Sequence, residues 1–172
     1  MAAEEPDLDV VAVEVYKRGL AQLLGAIDRE QITNIRLIRG DGLDVLEHMF
    51  GSGSLAGVRV FFPDPWPKAR HHKRRLLQPS TVELIADRLK PRGILHVATD
   101  HPGYAEQIEA VCDAEPGLQR VRATGKSLPI SVQRPATKYE SKAQHAGSAV
   151  AEMVWEKAPD VPDVPDVRRE TR

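Results

Sequence analysis

Val58-Arg59-Val60-Phe61-Phe62-Pro63-Asp64-Pro65-Trp66-Pro67-Lys68-Ala69-Arg70-His71-His72-Lys73-Arg74-Arg75 says more about this chain than any other stretch. Residues 58–62 form an apolar run of strand length, as expected of a buried parallel strand. Asp64 then stands between two prolines. Each proline fixes its own φ and pushes the preceding residue out of the helical region, so the backbone of Asp64 is doubly restricted. Five cations follow, Lys68, Arg70, Lys73, Arg74 and Arg75, with His71 and His72 among them. Taken singly, each part has a plain explanation. Proline and aspartate dominate turns, and a basic run is commonly a solvated face. Together they set a fixed carboxylate at the carboxyl end of a strand, where open α/β sheets bind ligands. That combination points to a reacting centre beside a surface that grips a polyanion.

On either side of this stretch, strand and helix patterns alternate. Residues 9–15 are an apolar run, read as a buried strand, and Arg18, Leu20, Leu23, Leu24 and Ile27 suit a following helix. A second strand is expected over residues 35–39, broken by Gly40-Asp41-Gly42. Leu43, Leu46, His48 and Met49 belong to a short helix that residues 51–54 end. Pro79 suits the first turn of a helix running to about Lys90. Pro91-Arg92-Gly93 reads as a turn, residues 94–99 as a fourth strand ending at Asp100, and residues 102–114 as a helix. Residues 118–123 are expected to form a strand, and residues 149–155 the last one. The alternation implies an α/β parallel sheet with antiparallel pairing near its end.

The expected domain covers residues 1–157. Residues 158–172, with their repeated Pro-Asp-Val, lack both helix-forming ability and core, and are expected to be disordered. At 172 residues a single domain is the natural expectation. The net charge of −1 means that any polyanion binding must come from local clustering. Cys112 is alone, which excludes a disulfide framework and a zinc cluster and suits a reducing compartment. His71 and His72 have no supporting Cys or Asp cluster nearby, so no metal is expected. No apolar run is long enough to span a membrane, and the acidic start is not a signal peptide. A cytoplasmic setting is expected, and oligomeric state is left open.

Acids recur at the strand ends: Glu14, Asp41, Asp64 and Asp100. In nucleotide-binding α/β units an acid there takes ribose hydroxyls, because a carboxylate accepts two hydrogen bonds at once. Glu14 suits that role, and Asp41 could accept from an exocyclic adenine amine. The competing role for either is to cap the next helix. A carboxylate among the valines around Glu14 would be costly without a partner, which favours a ligand there.

The segments Val13-Glu14-Val15, Gly40-Asp41, Phe61 through Arg75, Ala98-Thr99-Asp100 and Arg134-Pro135-Ala136-Thr137-Lys138-Tyr139-Glu140 run in order through all but the tail. In them the chain resembles the bacterial tRNA (guanine-N7-)-methyltransferase family. The resemblance implies a Rossmann-like class I methyltransferase fold. It also implies S-adenosylmethionine-dependent methylation of guanine N7 at position 46, in the variable loop of tRNA. By the same resemblance Glu14, Asp41 and Asp64 match cofactor-pocket positions, and Asp64 also matches the active-site acid. Lys68, Asp100, Thr137, Lys138, Tyr139 and Glu140 match substrate contacts. Arg70, His71, His72, Lys73, Arg74 and Arg75 match the RNA-contacting stretch.

The residue types suit this chemistry. Guanine N7 carries a lone pair and no proton, so attack on a methyl group needs positioning and no strong base. The methylated purine is cationic, which a preorganised carboxylate would stabilise. If four of the five cations in residues 68–75 reach phosphates, the log–log salt slope of RNA affinity is on the order of −3. Thr137, Lys138 and Glu140 could read a base edge; Tyr139 could equally stack on a base or sit in the core.

The chain departs from the family pattern in one respect. Class I methyltransferases carry a first strand and a glycine-rich loop ahead of the ribose acid, and nothing upstream of Asp9 supplies them. The domain is therefore expected to be N-terminally truncated, lacking a strand between residues 10–15 and residues 58–62. Two strand edges would be left to pair directly, to take another chain, or to weaken the fold. A catalytically silent RNA-binding remnant is the alternative to an enzyme. A nucleotide-binding module unrelated to RNA has little support, since no P-loop pattern is present.

Overall fold

Residues 1–121, 128–134 and 149–159 are described in the computed structural model. The elements run β1 (Val10–Val13), α1 (Lys17–Glu30), β2 (Ile35–Ile38), α2 (Gly42–Met49) and β3 (Leu55–Phe61). A 3-10 helix (Ala69–Arg74) leads to α3 (Pro79–Arg88), β4 (Leu89–Thr99), α4 (Pro102–Ala114), β5 (Leu118–Arg120) and β6 (Ala151–Lys157). Every strand expected from the sequence is present, with the last displaced two residues toward the C-terminus. No described helix is long and apolar enough to cross a membrane.

β1 and β2 pair in parallel, from Val10 opposite Ile35 to Val13 opposite Ile38. The other four strands form a sheet in the order β3-β4-β6-β5. β3 and β4 are parallel, and β6 runs antiparallel between β4 and β5. This is a Rossmann-like α/β arrangement with one reversed strand. Among the described residues no ladder joins β1 to β3, so the direct pairing left open by the sequence does not occur.

The core lies on one face of the four-stranded sheet. Leu95 and Val97 of β4 and Met153 and Trp155 of β6 pack with Val82 and Ile85 of α3 and Tyr104, Ile108 and Cys112 of α4. Prolines at the first turns of α3 and α4 start both helices. The opposite face is covered by residues 128–134. Ile130 packs on Ile94 and Val154 there. Gly57 makes room for it, since a Cβ at that position would lie 2.3 Å from Ile130 Cδ1. Glu5 Oε2 pairs with Arg59 at 2.7 Å, and Glu5 Oε1 accepts the Ser131 N–H at 2.6 Å. Arg59 also donates to the Ser131 carbonyl at 2.8 Å, so both main-chain groups of Ser131 are held.

The expected turn at residues 91–93 is instead the irregular entry of β4. The register shifts between Leu55 and Gly57, and Arg92 adopts φ +67°. Gly93 is needed because a Cβ would stand 2.8 Å from the Lys90 carbonyl and 3.1 Å from that of Leu55. The helix expected to reach Lys90 ends at Arg88, where the chain passes directly into this strand. By contrast, α1 has no buried residue, and Val11, Val15, Tyr16 and Leu24 are exposed.

Candidate active site

β3 ends in a strained turn around Asp64. The Phe62 N–H donates to the Ala98 carbonyl at 2.8 Å, the last tie to β4. Phe62 adopts φ +50° and Trp66 φ +41°, left-handed conformations that are outliers for bulky side chains. Such residues cost about 1–3 kcal/mol each and cluster where strain serves a site. Between them Asp64 is exposed, and makes no hydrogen bond or ion pair among the described residues.

The cations that follow divide into two kinds. Lys68, Arg70, Lys73 and Arg74 are exposed on or beside the 3-10 helix. The i, i+3 eclipse of that helix type brings His71 and Arg74 to one face. Both meet Trp66: Arg74 lies 5.1 Å from the ring centroid, and the His71 ring stands edge-on at 5.8 Å. The Arg70 Nε donates to His71 Nε2 at 3.3 Å. His72 is half-buried, and its carbonyl accepts from Gln78 Nε2 at 2.8 Å.

Arg75 differs from its neighbours, because it is 3% exposed and its side chain turns inward. Its Nε donates to the Pro65 carbonyl at 2.8 Å. Its Nη1 donates to the Gly103 carbonyl at 3.0 Å and to Gln107 Oε1 at 2.7 Å. The guanidinium also lies 4.8 Å from the Tyr104 ring centroid. Sequence cannot separate it from its neighbours, since only folding brings α4 against the turn. Burial raises the Tyr104 pKa, and the neutral hydroxyl accepts the Leu77 N–H at 3.1 Å.

The other acids occupy the strand ends as expected. Glu14 and Asp41 share the carboxyl edge of the β1–β2 pair, while Asp64 and Asp100 share that of β3 and β4. Glu14 is exposed, contrary to its expected burial among valines, because α1 leaves Val15 uncovered too. Its Oε1 accepts the Tyr16 N–H at 2.8 Å. Asp41 caps α2, accepting the Leu43 N–H at 2.8 Å. A carboxylate has about four acceptor sites, so neither contact exhausts the group. Asp100 is exposed just ahead of His101, whose Nδ1 accepts the Tyr104 N–H at 3.2 Å and caps α4. Thr137, Lys138, Tyr139 and Glu140, and the tail from residue 160, lie outside the described residues. Among the described residues no group of three His, Cys, Asp or Glu could hold a metal ion.

One polar chain under the turn was not anticipated. His96 is fully buried on β4, with Nε2 2.6 Å from Glu152 Oε1. Burial pushes the imidazole pKa down, so the neutral ring donates its Nε2–H to the carboxylate. Arg134 stands 3.7 Å from Glu152 Oε2 and 5.1 Å from the Phe62 ring centroid. The signal lay in the polar residues of β4 and β6, which alternation put on one face and burial made consequential.

Comparison with known proteins agrees with this arrangement. The profile of a family described as "Putative methyltransferase" matches residues 1–153. A tRNA (guanine-N(7)-)-methyltransferase of Mycobacterium sp. (strain KMS) is 75% identical over 155 residues, covering 90% of this chain and 56% of that protein. Its counterpart in Mycobacterium leprae (strain Br4923) is 66% identical over 158 residues, covering 91% and 68%. The chain thus spans little more than half the length of the first of these relatives. Solved structures share the fold at low identity. An rRNA methylase from Streptococcus thermophilus has a TM-score of 0.55 at 17% identity, covering 87% of this chain and 74% of that one. The aminoglycoside resistance methyltransferase NpmB1 has a TM-score of 0.53 at 17% identity, covering 91% and 79%. With the acid turn, the cationic helix and a methyltransferase architecture in one chain, and with identity this high along most of its length, the chain belongs to the tRNA (guanine-N7-)-methyltransferase family.

Proposed function

We propose that this chain carries the acid and the RNA grip of an enzyme that transfers a methyl group from S-adenosylmethionine to guanine N7 at position 46 of tRNA. The observation that carries the proposal is the exposed Asp64 between two left-handed aromatics, directly beside a helix bearing exposed cations. The residues present fit the nucleoside half of the cofactor. Glu14 and Asp41 offer exposed carboxylates at one strand edge, suited to a ribose diol and an exocyclic amine. When bound, the cofactor supplies an electrophilic sulfonium methyl.

The chain's own residues then do the rest. Lys68, Arg70, Lys73 and Arg74 neutralise phosphates and seat the transcript, giving a log–log salt slope of about −3 for four contacts. Trp66, already backed by Arg74, presents a ring at the entry of that surface. Asp64 faces the guanine, whose N7 attacks without losing a proton. As the lone pair is shared, positive charge grows on the purine and the Asp64 carboxylate stabilises it. Lys68, Asp100 and residues 137–140 are the proposed substrate contacts. A cytoplasmic setting, where tRNA is processed, completes the proposal.

Incubating the chain with labelled S-adenosylmethionine and a tRNA transcript tests it. Label should appear as 7-methylguanosine and vanish when guanine 46 is replaced by adenine. Transcript binding without 7-methylguanosine would instead favour a silent RNA-binding remnant.

A further inference from the structure

We infer that Arg75 is a positioning residue that fixes the Asp64 turn against α4, and that it contributes nothing to the RNA grip. The inference rests on the role proposed for Asp64. Arg75 closes a basic run, but its side chain turns inward while Arg74 stays at the surface. Its three hydrogen bonds reach two segments. The Pro65 carbonyl belongs to the residue after Asp64, the Gly103 carbonyl to the first turn of α4, and Gln107 to the next turn. α4 starts two residues beyond Asp100, so one guanidinium ties the turn of β3 to the element that follows the end of β4.

The choice of arginine follows from this geometry. A guanidinium presents Nε–H and Nη–H in a rigid planar fork and stacks its face on an aromatic ring. Arg75 uses both properties, the fork on Pro65, Gly103 and Gln107 and the face on Tyr104. A lysine ammonium holds its three donors on one nitrogen, so it cannot span the Pro65 carbonyl and both acceptors of α4, and it has no planar face for Tyr104; an acceptor left buried without a donor is costly. The strained φ of Phe62 and Trp66 also needs an external restraint, since such conformations persist only where surrounding structure over-determines them. The contact at Pro65 lies between those two residues and next to Asp64.

The chain has two tryptophans, Trp66 in the turn and Trp155 in the core, so 19F NMR of the 5-fluorotryptophan-labelled protein reports both places at once. In Arg75→Lys the Trp66 resonance should move toward that of free fluorotryptophan while the Trp155 resonance stays. The kcat for methyl transfer should fall between about tenfold and a hundredfold with KM for tRNA unchanged, the scale of a misplaced reacting group. The salt slope of transcript binding should stay at its wild-type value, whereas Arg74→Ala should reduce it by about 0.7. If Arg75→Lys does not fold, Gln107→Leu removes one acceptor and should displace the Trp66 resonance in the same direction by less. A reduced salt slope in Arg75→Lys, an unmoved Trp66 resonance, or unchanged kcat would each overturn the inference. Should the wild-type chain neither bind nor methylate tRNA, the proposed function fails, and the Trp66 resonance alone decides whether Arg75 holds the turn.

Discussion

Asp64 and His96 carry opposite expectations at the scale of single residues. Asp64 is exposed and has no partner among the described residues, so Asp64→Asn should leave stability within about 0.5 kcal/mol of wild type. Its neutral amide cannot balance a growing cation, and kcat should fall on the order of a hundredfold. Calorimetric melting and a methylation assay check the two halves separately. His96 is buried beside Glu152, with Arg59 and Arg134 nearby, and burial depresses its pKa below the ordinary 6.5. The unfolded chain therefore takes up the proton first as pH falls. Stability contributed by the neutral ring is present above about pH 6.5 and is lost progressively below it. Urea midpoints measured between about pH 7.5 and 5.5 should fall, and His96→Gln should flatten that decline. Cys112, by contrast, has its thiol pKa pushed up to about 12 by burial and is expected to resist alkylation in the native state.

At the scale of elements, the 128–134 segment is the part whose attachment is most open to test. Ile130 occupies the space that a glycine at position 57 leaves on β3. Gly57→Ala should destabilise the fold by about 1–3 kcal/mol through overpacking. The loss should shrink when combined with Ile130→Ala, because the two changes share one contact. Chemical denaturation of both single variants and the double variant measures the coupling; strict additivity would show that Ile130 does not seat there. The same segment leads through Arg134, set against Phe62 and Glu152, into residues 135–140. Its register therefore bears on both the acid turn and the proposed substrate contacts.

On the scale of the whole molecule, the two sheets differ in how well they are held. β3, β4, β6 and β5 enclose a closed core with Leu95, Val97, Trp155 and Tyr104 fully buried. Among the described residues β1 and β2 pair only with each other, and α1 beside them buries no residue. Asn34 Nδ2 ties this unit to the preceding segment through the carbonyls of Ala2, Glu5 and Leu8, at 2.8–2.9 Å. With few buried apolar contacts the unit should open first. Hydrogen exchange by mass spectrometry should show residues 10–38 exchanging well before residues 94–99, and equal protection of the two would contradict this.

What the sequence by itself determined is local. Apolar runs of strand length, prolines at helix starts and the paired prolines around Asp64 each act through their own backbone, and so the strands, helices and acid turn were legible in order. The grip was legible as a charge run for the same reason. The tertiary structure alone decided which charges are surface and which are struts. Arg75 looks inward because α4 arrives with two carbonyl-type acceptors and an aromatic face, and that is a contact between segments some 30 residues apart. Glu14 is exposed because nothing described covers β1 on that side, and His96 is buried because residues 128–134 lie over β4. Burial depends on what packs from elsewhere in the chain, and no periodicity within one segment encodes it.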